Sequence, residues 1–126
     1  MIEAKIYDLL NAKVVLDSLK NKSLPGKAAL NIARLIREVS KELETYDAAR
    51  LDIINKYAKK DENGNMIVEN GNAQIEEEFI KECQNKLNES CLAIIELNTN
   101  PIEEQWLEDI NLLVEEAIAL EPFVKK

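Results

Sequence analysis

Two cysteines, a run of three glutamates and one turn rich in Asp and Asn are the residues of this sequence whose types could do chemistry. Cys83 and Cys91 stand eight positions apart with no second pair, too few ligands for a structural zinc site. There is no histidine anywhere. That removes the commonest general base and both the Ser–His and Cys–His nucleophile pairs. Asp61-x-Asn63-x-Asn65 matches the first three ligand positions of a calcium loop. Its sixth position should be glycine and is Met66, and its twelfth should be a bidentate glutamate and is Asn72. The segment therefore reads as a polar turn. Glu76, Glu77, Glu78 and Glu82, or Glu38, Glu42 and Glu44, could hold a divalent metal only as all-helical nucleotide pyrophosphohydrolases do. Those enzymes pair two acidic motifs at set spacing on two helices, and no such pair can be built from these residues. The three glycines are scattered, so no loop cradles a phosphate. The expectation is a non-enzyme with no catalytic residue, metal or cofactor.

What remains is contact chemistry. Met66, Ile67 and Val68 form a short β-prone run between two turns, and Glu76, Glu77 and Glu78 follow it closely. These six are the expected partner-binding residues. The net charge of −8 is unevenly spread. Residues 1–60 hold 12 Lys/Arg against 8 Asp/Glu, whereas residues 61–126 hold 4 against 16. Binding of nucleic acid through a basic surface is therefore disfavoured. The two halves instead suit packing on one another, self-association, or presentation of the acidic half to a basic partner.

The elements that must position these residues are few and long. Three glycines and three prolines leave little room to turn, and an aromatic share of 5 % makes the core aliphatic. At 126 residues one domain, 1–126, is expected. The opening alternation Ile2, Ala4, Ile6 suits a strand or a helix start, and Leu9, Ala12, Leu16 and Leu19 lie on one helical face. Ser23 and Pro25 read as cap and first-turn proline of the next helix. Along it, Ile32, Ile36, Val39, Leu43, Tyr46, Ile53 and Tyr57 keep a spacing near 3.5, skipping Arg50. That stripe is a helix-packing seam or an oligomer seam. A helix from Pro25 to Lys59 would be about 52 Å long. Residues 61–72 then carry two Asn-Gly turns, the favoured pair for a tight hairpin.

Glu76–Glu78 is expected to open a second helix with Phe79, Ile80, Cys83 and Leu87 on its apolar face. Glu77–Lys81 and Glu82–Lys86 would be its ion pairs. Leu92 to Leu97 read either as a continuation of that helix or as a strand pairing with the chain start in a small sheet, and strand and helix stay open over residues 91–108. Asn100, Pro101 and Glu103 have the form of a helix start, with Trp106, Ile110, Leu113, Ala117 and Leu120 as its stripe, ending at Glu121-Pro122. The expected fold is mainly α, a long helical hairpin with a β-hairpin or ordered loop at its tip and flanking terminal helices. No segment has the run of about 18 apolar residues that a membrane span needs. Glu3, Lys5 and Asp8 do not suit a secretory signal, and free thiols fit a reducing cytoplasm.

The order of these features resembles small proteins of unknown function encoded by bacteriophages and prophages of low-GC bacteria. It rests on Asn11-Ala12, Leu16 and Leu19, Leu24-Pro25, and Glu42 with Tyr46-Asp47-Ala48-Ala49-Arg50. It continues with Lys56-Tyr57-Ala58, Lys60 to Asn65, Gly71 and Ala119-Leu120-Glu121-Pro122-Phe123. The resemblance implies an accessory protein acting through protein–protein contacts, in virion assembly or interference with a host protein, and carries no catalytic residues. The helical hairpin is also similar in architecture to prefoldin-type chaperone subunits, in which Met66, Ile67 and Val68 would be the client-binding tip. The alternatives are thus a chaperone-like helical oligomer and an acidic inhibitor mimicking nucleic acid.

Overall fold

The opening alternation becomes a strand because Ile2 and Ala4 must both turn inward. In the computed structural model, which describes residues 1–126, this is β1 (Ile2–Lys5), followed without a break by α1 (Ile6–Leu19). The Asp8 carboxylate accepts the Lys5 N–H at 3.0 Å and so holds the first turn of α1. Leu9, Ala12, Leu16 and Leu19 are all buried, as their spacing requires.

The long helix α2 runs from Gly26 to Tyr57, 32 residues or about 48 Å. It starts one residue later and ends two earlier than expected. Ser23 makes no capping hydrogen bond; Pro25 sits at the cap itself, its carbonyl accepting the Ala29 N–H at 2.9 Å. Ala58 is already extended, because its partner Ile75 draws it into a β-bridge.

The tip is a hairpin of β2 (Val68–Glu69) and β3 (Asn72–Ala73). Asn70 and Gly71 both have positive φ, +53° and +81°, the backbone that a two-residue hairpin turn with right-handed strand twist demands. A second turn is closed by Asp61, whose Oδ1 accepts the N–H groups of Asn63 and Asn65 at 2.9 and 3.0 Å. The carboxylate of the calcium-like pattern is therefore engaged with its own backbone.

A 3-10 turn, Glu77–Phe79, leads into α3 (Ile80–Cys91). The three glutamates thus lie in and before that turn rather than in the first turn of the helix. Neither Glu77–Lys81 nor Glu82–Lys86 forms; the ion pair on this helix is Lys86–Glu89, at 3.9 Å. Of the expected apolar face only Cys83 is buried, with Leu87 half-buried and Phe79 and Ile80 exposed. The 12 residues of α3 run back along α2, the Tyr57 and Phe79 rings 5.7 Å apart at one end and Tyr46 meeting Cys91 at the other.

Residues 94–97 form β4 (Ile94–Leu97), antiparallel to β1 with Ile2 opposite Leu97 and Ala4 opposite Ile95. The strand reading of this segment is the one the fold adopts. The helix expected from Asn100 to Leu120 does not form as one piece. Ile102 is extended and makes a parallel bridge with Val124, donating to the Phe123 carbonyl at 2.8 Å and accepting from Lys125 at 2.7 Å. That pairing buries Ile102 and Phe123 completely, and it is incompatible with a helix starting at Pro101. What is left is a 3-10 turn at Glu104–Leu107, an irregular stretch, and α4 (Val114–Leu120), whose start is held by Glu116 Oε1 accepting the Leu113 N–H at 2.9 Å. Leu113 accordingly stays exposed, outside the stripe assigned to it.

The core is one cluster of 16 buried residues drawn from β1, α1, the first half of α2, Leu97, Ile102, Leu120 and Phe123. None of its members lies between Leu43 and Leu97. The molecule is mainly α, a base built on this core from which the rest of α2, the hairpin and α3 extend as an arm.

Candidate functional site

The residues expected to bind a partner at the tip are only partly presented. Val68 is exposed near the hairpin turn, whereas Met66 and Ile67 are half-buried. Met66 bridges to Lys60, and Ile67 donates to Lys59 and accepts from Gln74, both at 2.9 Å. Glu76, Glu77 and Glu78 are exposed at the other end of the hairpin, where the Glu76 N–H reaches the Tyr57 carbonyl at 3.2 Å. The hairpin therefore separates Val68 from the glutamates rather than gathering all six residues into one surface.

The heptad stripe divides as well. Ile32, Val39 and Leu43 are spent in the core, together with Leu35, which the 3.5 spacing passes over. Ile36 and Tyr46 pack at the core edge, Ile53 is half-buried and Tyr57 is buried against the arm. Tyr46 Oη and Cys91 Sγ lie 3.2 Å apart in a hydrogen bond. Burial, and next the bond to Cys91, push the Tyr46 hydroxyl up to about 12. Burial likewise pushes the Cys83 thiol up, which suits a small core hydrophobe rather than a nucleophile.

An apolar surface open to solvent lies elsewhere, on the base. The core-facing stripe of α1 is matched by a second one, Tyr7, Leu10 and Val14, which faces solvent; Val14 is 76 % exposed. Beside it stand Leu113, Val114 and Ile118 at α4, of which Val114 is 78 % and Ile118 is 62 % exposed. Tyr7, Val14, Leu113 and Ile118 line a groove of about 640 Å³ between the two helices. Val114 and Ile118 also border a second hollow on the far side of α4, so the apolar surface continues across the helix.

The groove is acidic at its rim. Asp8, Glu115 and Glu116 line it, and no Lys or Arg does. None of the three is in an ion pair, although Asp8 and Glu116 each hold the start of their own helix. Monomeric proteins keep contiguous apolar patches small, and a large one ringed by charge marks a contact site. A signal for it existed in the sequence, since α1 is apolar on more than one face, the pattern of a helix covered on both sides. The residues of α4 gave no comparable signal, because the helix they suggested is not the one that forms. Comparisons of this chain with protein-family models, with curated proteins and with solved structures found no match.

Proposed function

We propose that this protein is a non-enzymatic phage or prophage accessory protein that works by protein–protein contact, in virion assembly or interference with a host protein. The groove between α1 and α4 is the contact site in this reading. One observation carries it: Tyr7, Val14, Leu113 and Ile118 leave an apolar channel open to solvent, bordered by three carboxylates outside any ion pair and by no cation. The complementary occupant is a helix of a partner protein with two or three apolar anchors on one side and Lys or Arg flanking them. The resemblance to phage-encoded proteins supplies the biological setting.

The test compares capture from bacterial host lysate by the natural protein and by a Val14→Lys/Ile118→Lys variant. Both positions are exposed, so the fold should survive, with a stability change of about 0.5 kcal/mol or less per site. Far-UV circular dichroism checks this. The expected outcome is a protein captured by the natural chain, weakened by raised salt and lost with the variant. An identical set of captured proteins from both baits would overturn the reading. Light scattering that shows a dimer only for the natural chain would replace the foreign partner with a second copy and favour the chaperone-like oligomer.

A further inference from the structure

Two polar side chains are buried, and both border one cleft. Asn31, on α2, is 6 % exposed, and its Nδ2 donates to the Asn100 carbonyl at 3.1 Å. Thr99 is 8 % exposed, and its Oγ1 has no hydrogen-bond partner. An unsatisfied buried hydroxyl costs free energy, so its persistence calls for a reason. Asn31 and Thr99 line a pocket of about 240 Å³ with Arg34, Asn98 and Asn100. It opens beside a wider hollow that shares Asn31, Arg34 and Asn100 and adds Lys27, Lys125, Glu103, Pro101 and Trp106.

The charge around this cleft runs against that of the molecule. The chain carries −8 overall, yet Lys27, Arg34 and Lys125 face one carboxylate here, Glu103. None of the three cations is in an ion pair. Lys27, Asn31 and Arg34 follow one another at i, i+4 and i+7, which sets them on a single face of α2. Cations grouped this way repel one another unless an anion lies between them. A carboxylate would leave most of these donors idle, whereas a phosphate dianion matches the excess of two positive charges and accepts from several donors at once.

We propose that the cleft between the first turns of α2 and the 98–101 loop is a binding site for a phosphate group, free or carried on a small molecule. Arg34 and Lys27 neutralise the anion, and the amide groups of Asn31 and Asn98 orient it. The Thr99 hydroxyl gains its missing partner from the anion or from water held beside it. Pro101 and Trp106 border the space that the rest of a phosphate ester would fill. This site is separate from the α1–α4 groove and does not depend on the contact function assigned to it.

Trp106 is the only tryptophan in the chain, so its fluorescence reports on the cleft directly. The natural protein is titrated with inorganic phosphate, an alkyl phosphate, acetate and chloride at constant ionic strength. A saturable change with the two phosphates, and none with acetate or chloride, is the expected result. A tighter fit of the alkyl phosphate identifies an ester as the ligand, and equal binding identifies the free anion. Arg34→Gln should weaken phosphate about tenfold or more, the effect of losing one charge-assisted hydrogen bond. Lys27→Gln, also at an exposed position, provides a second variant. The proposal is overturned if millimolar phosphate does no more than chloride, or if both variants respond as the natural protein does.

Discussion

The base and the arm of this protein are held together in different ways. The base has 16 buried hydrophobic residues in one cluster, gathered from residues 2–19, 32–43 and 97–123 of the chain. The arm has three, Tyr57, Ala58 and Cys83, and otherwise relies on turn geometry, short β-bridges and helix hydrogen bonds. Burial contributes to stability roughly in proportion to apolar area, so the base carries most of it. Local structure such as an Asn-Gly turn needs no distant partner, so the arm can be well defined and still contribute little. A region's shape and its share of the stability are therefore separate properties.

Three substitutions would sharpen or break this contrast. The largest effect is expected from Phe123→Ala, which empties a fully buried site in the base. A loss of about 3–5 kcal/mol is expected in urea unfolding. A loss below about 1 kcal/mol would mean that the tail is dispensable and the base smaller than drawn. Next comes Gly71→Ala at the tip. A Cβ there meets nothing within 4 Å, so the cost comes from φ +81° alone, about 1 kcal/mol. Hydrogen exchange should quicken in residues 66–75 and leave α1 and β1 unchanged. Equal quickening in both would show that base and arm open as one unit.

The smallest effect is expected from Tyr46→Phe, at the joint between the two regions. Its hydroxyl titrates higher in the folded protein, up to about 12, than the ordinary 10.0. The folded state therefore favours the neutral phenol. That contribution is fully present below pH 10 and is lost as pH rises through about 12. The phenylalanine variant should be less stable by about 0.5–1 kcal/mol at neutral pH. Its stability should also fall less steeply than the natural chain's across that alkaline window. Parallel curves for the two proteins would show that neither burial nor the bond to Cys91 holds the phenol neutral.

The same division explains what could be read from the sequence. The hairpin was legible because Asn70 and Gly71 determine their own backbone, and the buried faces of α1 and of the first half of α2 were legible from spacing. The strand at 94–97 was one of two open readings, since a dense β-branched run serves either element until its partner is known. The helix assigned to Pro101–Leu120 failed at a tertiary contact. Local signals favoured it, but extending Ile102 beside Val124 buries two large side chains that a helix would have left apart. The cleft lay beyond sequence reasoning for a related reason, and of the groove only the α1 side was signalled. The second apolar face of α1 does not say what lies beside it until α4 is placed, and Asn31 and Thr99 are ordinary polar residues until the fold buries them.

One consequence of the β1–β4 ladder concerns how such a chain can change over generations. By pairing Ile2 with Leu97, the ladder fastens the base across a loop that contains α1, α2, the hairpin and α3. The entropy of closing a loop rises only with the logarithm of its length, so even doubling it costs about 0.6 kcal/mol. Paired insertions or deletions of whole helical turns in α2 and α3 would lengthen or shorten the arm by about 5 Å each. They would leave every contact in the base as it was. The reach of the arm is thus nearly free to drift, while the surface around α1 and α4 is bound to the residues that hold the molecule together.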